Sequence, residues 1–89
     1  MDSETLFRDA NERIAESVRN LSLQGRAPFI CECKNERCTD FMPLALEEYE
    51  AARAHPGRFL TVPGHQLSVP AEIVEQNERF SLLQRPDAG

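Results

Sequence analysis

Three cysteines stand within eight residues, CECKNERC, positions 31 to 38, and the chain has no others. Residues two apart on an extended segment project to the same side, so Cys31 and Cys33 can aim both sulfurs one way. The four polar residues Lys34 to Arg37 make a loop that can return Cys38 to them. Thiolates gathered like this are soft donors for a metal ion. Zinc takes four ligands near tetrahedral geometry, with sulfur at about 2.3 Å, and a neutral imidazole is the usual partner of three thiolates.

Two histidines are available. His55 falls in the last turn of a predicted helix, directly before Pro56, where a solvated cation near the negative end of the helix dipole accounts for it. His65 follows Pro63-Gly64 on a rigid turn at the end of a predicted strand, a place where loops present ligands. We therefore expect Cys31, Cys33, Cys38 and His65 to hold one zinc ion per chain. Asp40, Glu32 and Glu36 are weaker candidates for the fourth position, because carboxylates are less common in thiolate-rich zinc sites.

Other chemistries for the same cysteines stay open. A three-thiolate site with a free position would suit catalysis, but the deaminase pattern H-x-E…P-C-x-x-C is missing. A thiol-based redox sensor or enzyme could use the C-x-C pair; Lys34 and Arg37 favour a thiolate there, while Glu32 between the sulfurs opposes it. An iron–sulfur cluster also takes thiolates. Small CDGSH-type iron–sulfur proteins hold theirs with three Cys and one His, in a closing run C-D-G-x-H. Here Cys38 is followed by Thr39-Asp40-Phe41, so that match fails. Three inert buried thiols are the remaining reading. No Gly-rich phosphate loop, nucleophile–His–acid set or H-E-x-x-H motif accompanies the cysteines, so we expect a binding or regulatory module without catalysis.

The elements that must position these residues are short. Phe7, Ala10, Ile14, Val18 and Leu21 recur at spacings of three and four, which predicts a helix from about Ser3 to Leu23. Asp2 or Ser3 can cap its start, and Gly25 suits its end. Phe29 to Cys33 reads as a strand, and Cys38 to Leu44 as a second one that ends at Pro43. Leu46 to Ala54 makes a short helix with acidic first turns, stopped by Pro56-Gly57. Arg58 to Val62 is a third strand. Glu72 to Gln76 and Arg79 to Gln84 read as a hairpin around Asn77-Glu78, although Ala71 to Phe80 also suits a helix. The expected fold class is α+β: an N-terminal helix and a small antiparallel sheet with one inserted helix, stapled by zinc.

With 89 residues the chain is expected to be one domain. Its parts are an N-terminal helix over 1–25, a zinc-stapled core over 27–85 and a frayed tail over 86–89. Six aromatic residues and no Trp make a thin core, in which a metal staple matters. Structural zinc binds with on the order of 10–16 kcal/mol. A chain this short has only about 5 kcal/mol of stability in total, so the metal should decide whether residues 29 to 65 fold. Three thiol protons exchanged for a dication leave the site one charge more negative, which Lys34, Arg37 or Arg58 could offset.

The net charge of −5 repels a phosphate backbone. A DNA-binding finger would need Arg8, Arg13, Arg19 and Arg26 on one face, and they do not share a stripe. The acidic start MDSETLFRD resembles neither a secretory signal nor a transit peptide, and no run approaches the ~18 apolar residues of a membrane span. A cytoplasmic protein is the expectation, where clustered cysteines bind metal more often than they form disulfides. Its expected partner is another protein, or a second copy met through the N-terminal helix, with neither membrane nor nucleic acid.

With CEC-x4-C followed by PLALEEYEAARAHPGRFLTVPGH, the chain resembles a group of short, uncharacterised proteins of actinobacterial type. In that group C-x-C-x4-C precedes an L-x-L-E-E-Y-E-x-x-R run, an R-F strand, a P-G-H turn and a closing hairpin. The likeness covers roughly residues 8 to 84. Its specific part comprises Cys31, Cys33, Cys38, the run Leu44 to Arg53, Arg58-Phe59 and Pro63 to His65. Ala45 stands where the group has Thr, so the short helix lacks a side-chain N-cap, which typically costs ~1 kcal/mol. The closing RFSLLQR is also less β-like than the group's version. The resemblance implies a shared metal-binding fold and no particular activity.

Overall fold

A computed structural model describes residues 3 to 86, with side chains from Glu4 onward. The elements run α1 (Ser3–Asn20), β1 (Arg26–Ile30), β2 (Phe41–Ala45), α2 (Leu46–Arg53), β3 (Arg58–Thr61), β4 (Glu72–Gln76) and β5 (Ser81–Gln84). The fold is α+β as expected, and its strands divide between two antiparallel sheets, β1-β2 and β3-β5-β4. No described helix is long and apolar enough to cross a membrane. Asp2, the side chain of Ser3 and the last three residues of the tail lie outside what is described, and the expected caps fall there.

α1 stops three residues earlier than its apolar pattern predicts, and Gly25 is not what stops it. Ser22 takes the left-handed conformation (φ 52°). The Ser22 N–H then donates to Arg19 O (3.2 Å) and the Leu23 N–H to Val18 O (3.1 Å), a Schellman closure. The face that α1 buries is also rotated from the predicted stripe. Glu4, Asn11, Ala15 and Val18 are buried, Phe7, Ala10 and Ile14 only half so, and Leu21 is 67% exposed.

β1 begins at Arg26 and ends before the cysteines, not at Cys33, and β2 begins at Phe41 rather than Cys38. Pro28 and Pro43 lie opposite each other in the middle of this pair. Neither has an N–H, so they fall at a non-hydrogen-bonded position while their neighbours carry the ladder. Pleating turns Phe29, Met42 and Leu44 inward. There they meet Ala15 of α1, Tyr49 and Ala52 of α2, and Leu60, Phe80 and Leu82 of the second sheet region. Phe29 stacks on Tyr49 with ring centroids 4.7 Å apart. A smaller cluster of Phe59, Leu67 and Leu83 covers the other face of β3 and β5.

α2 follows β2 without a loop. Ala45 has no side-chain oxygen to cap it, but Glu48 accepts the Ala45 N–H (2.9 Å), half of a capping box. Glu48 also takes a two-pronged pair from Arg79 (2.8 and 2.6 Å), which ties α2 to the turn before β5. The C-terminal segment is a hairpin, not a helix: β4 pairs with β5, with a register shift between Ile73 and Glu75. In the turn, the Asn77 side chain accepts the Arg79 and Phe80 N–H groups (2.8 and 3.0 Å).

Candidate metal centre

The segment that leaves β1 carries Cys31 and Cys33, both buried. Two hydrogen bonds hold it extended after the β1-β2 ladder ends. Cys31 N–H donates to Asp40 O (3.2 Å), and Glu32 N–H donates to Leu60 O of β3 (2.8 Å). Asn35 then folds the chain back, accepting Arg37 N–H on its side chain (3.0 Å) and Cys38 N–H on its carbonyl (3.0 Å). Cys38 arrives half-exposed beside the other two thiols.

His65 comes from a tight turn. Its N–H donates to Val62 O (3.0 Å), with Pro63 and Gly64 between them and Gly64 at φ 91°. Proline at the second position and positive-φ glycine at the third are the signature of a type II turn. The turn delivers the imidazole with Nδ1 3.4 Å from Cys31 Sγ and 3.7 Å from Cys38 Sγ. Its other nitrogen, Nε2, lies 3.5 Å from Asp40 Oδ2.

Sγ of Cys31, Cys33 and Cys38 and a ring nitrogen of His65 all lie within 4.8 Å of one another. The cluster can hold a metal ion, and its donor set fits a structural zinc site. The other candidates are disposed otherwise. His55 is exposed beyond the end of α2, Glu36 is exposed in the polar loop, Asp40 stands on the outer side of the imidazole, and Glu32 is buried away from the sulfurs.

Electrostatics favour a cation between the sulfurs. Burial pushes the Cys31 thiol well above its ordinary value, and the neighbouring Cys33 and Cys38 add to the rise. The Val62 N–H, 3.2 Å from Cys31 Sγ, works the other way by donating to sulfur. Cys33 is raised too, again chiefly by burial. Thiols held protonated in this way are poor nucleophiles. A metal dication would take their protons' place.

Sequence reasoning missed what lies on the opposite side of the segment. Glu32 is fully buried and accepts from the Asn11 side chain (2.7 Å), from Leu60 N–H (2.8 Å) and from Arg53 Nη2. Asn11 also grips both backbone groups of Ile30, accepting its N–H and donating to its carbonyl (2.7 Å each). Arg53 in turn donates to Arg58 O and to the Tyr49 hydroxyl (3.1 Å each), and Tyr49 donates to Glu12 (2.8 Å). Burial pushes the Glu32 carboxyl up, and Arg53, Asn11 and Leu60 N–H all pull it back toward the ionised form. The alternation that pairs Cys31 with Cys33 was the available signal: it turns Glu32 the other way, into the protein.

The chain matches no protein-family model, no curated protein and no solved structure.

Proposed function

We propose that this protein is a small zinc-binding module in which Cys31, Cys33, Cys38 and His65 hold one structural Zn2+, and that it acts by binding another protein, without catalysis of its own. The spacing of the donor atoms supports this reading best. One zinc with ordinary bond lengths in a tetrahedron separates sulfur from nitrogen by about 3.5 Å. The two sulfur–nitrogen distances, 3.4 and 3.7 Å, straddle that value. A cluster of two or more irons would hold ligands of different irons further apart than ligands sharing one ion, so the spacing favours zinc over an iron–sulfur cluster. Four protein ligands leave no position for a substrate, as structural zinc requires.

The role of such a module would be to present a surface. Leu6 of α1 and Leu21 and Leu23 just beyond its end are each more than half exposed, and we assign contact with another protein, or with a second copy, to this helix. A reducing compartment such as the cytoplasm would keep the thiols available for the metal.

Metal analysis by native mass spectrometry of freshly purified, reduced protein tests the reading. We expect one zinc per chain in the wild type and in His55→Ala, and weak or absent retention in His65→Ala. Metal-free wild type would end the proposal, and equal retention in all three would remove His65 from the site.

A further inference from the structure

We propose that Asp40 is a positioning residue for the metal centre: its carboxylate accepts the Nε2–H of His65, so that the ring offers an unprotonated Nδ1 to the ion. This rests on the proposed zinc site and adds to it a residue that does not touch the metal. The neutral imidazole carries one proton, and whichever nitrogen holds it cannot bind a metal. In this fold Nδ1 faces the sulfurs of Cys31 and Cys38. Nε2 faces away from them, 3.5 Å from Asp40 Oδ2. An acceptor on that side holds the proton on Nε2 and leaves the Nδ1 lone pair directed into the cluster. A carboxylate does more than a neutral acceptor, because its negative charge also draws the ring proton to the nitrogen that faces it.

The chain fixes Asp40 in this place by its backbone. Its carbonyl accepts the Cys31 N–H, and it is the last residue before β2. The residue that closes the Cys38 loop against the first ligand therefore also aims a side chain at the fourth. His65 is held from its own side as well, by the Val62–His65 turn and by the Thr61 hydroxyl, which donates to its carbonyl (3.5 Å). The backbone of His65 is thus held by its turn, and Asp40 stands beside the far nitrogen of the ring.

Competition for zinc against a chromogenic chelator, with wild type, Asp40→Ala and Asp40→Asn, measures the contribution. Removing such an outer carboxylate weakens metal affinity by about 10–100-fold. Asp40 is 59% exposed, so we expect the lower end, about tenfold, for Asp40→Ala. Asparagine keeps an acceptor without the charge and should recover part of the loss. Long-range proton–nitrogen spectra of the zinc-loaded wild type should show His65 Nε2 protonated and Nδ1 bound to metal. Affinities within twofold of each other, or a metal-bound Nε2, would overturn the proposal while leaving the zinc site standing. A wild type that takes up no zinc would overturn both. Because the substitution lies on the surface, the zinc-loaded Asp40→Ala protein should keep the wild-type circular dichroism; if its fold is lost, the Asp40→Asn affinity and the nitrogen spectrum of the wild type decide.

Discussion

Residues 31 to 33 carry two different staples, one on each side of a single extended stretch. On one side Cys31 and Cys33 turn toward Cys38 and His65, and an ion would complete the contact. On the other, Glu32 meets Asn11 of α1, Arg53 of α2 and the backbone of β3, and the contact is complete within the chain. The first ties residues near in sequence to one distant turn. The second joins both helices to the strand. A metal site can be strong in a thin core because metal–ligand bonds owe little to buried area. A buried ion pair depends on every partner being present, since desolvation is repaid only by good geometry and full hydrogen bonding.

Substitutions on the two sides should therefore behave differently. Cys31→Ser should have the largest effect. Losing one of four ligands removes most of a binding free energy on the order of 10–16 kcal/mol, against about 5 kcal/mol of total stability. Circular dichroism during zinc titration should show no cooperative folding at micromolar metal; normal zinc-dependent folding would break the assignment of this side.

Glu32→Ala comes next. It takes the buried carboxylate from an Arg53 side chain only 10% exposed, and breaking a buried pair costs about 3–5 kcal/mol; the lower end is expected, because Glu12 stays 3.6 Å from Arg53 Nε. One zinc should still bind at saturating metal. In urea unfolding, Glu32→Ala combined with Arg53→Ala should lose less than the sum of the single losses. Strict additivity would mean that the two side chains do not form a pair. Asn11→Ala leaves the Ile30 backbone groups without their partner, and about 1–3 kcal/mol should go with it, read the same way at saturating zinc.

Two smaller effects sharpen the comparison. Gly64→Ala meets no atom within 4 Å, so any cost comes from the backbone conformation alone, about 1–2 kcal/mol. It should appear as weaker zinc retention, because this turn carries His65. Glu48 lies outside both staples, and Arg79 holds its carboxyl down at about 2. Its folded value is depressed, so its contribution is complete above the ordinary carboxylate range and is lost only as pH falls toward 2. Glu48→Gln should cost about 1 kcal/mol, the usual worth of a cap. The difference from wild type, read by urea unfolding with zinc, should be the same at pH 7 and pH 5. A difference that already shrinks between those values would break the assignment.

The two sides also differ in how far they could be read in advance. Cysteine and histidine announce a metal site by residue type, and the alternation of an extended chain is enough to aim two sulfurs together. The Pro-Gly pair before His65 specifies its turn locally, so the fourth ligand was also legible. Glu32 and Asn11 were not, because a carboxylate and an amide are ordinary surface residues until something buries them. The rotation of α1 has the same origin. Its apolar periodicity placed Leu21 on the inner face, but the strongest contacts of the helix are polar: Asn11 on Ile30 and Glu32, and Glu4 on the Ser68 N–H and hydroxyl (2.6 and 2.9 Å). The strand ends were misread for a related reason: past Ile30 the chain turns its backbone to partners far away in sequence, with the Ile30 groups on Asn11 and the Glu32 N–H on Leu60 O.

By itself the sequence determined the element types up to Pro70 and the four residues suited to a metal, because periodicity, turn chemistry and donor type are local properties of the chain; after Pro70 it left hairpin and helix both open, and the pairing of β4 with β5 decided. Tertiary structure alone decided which polar groups are buried, which way α1 faces and which nitrogen of His65 meets the sulfurs. Those outcomes depend on pairing groups far apart in sequence, and a buried charge is tolerated only where such partners converge.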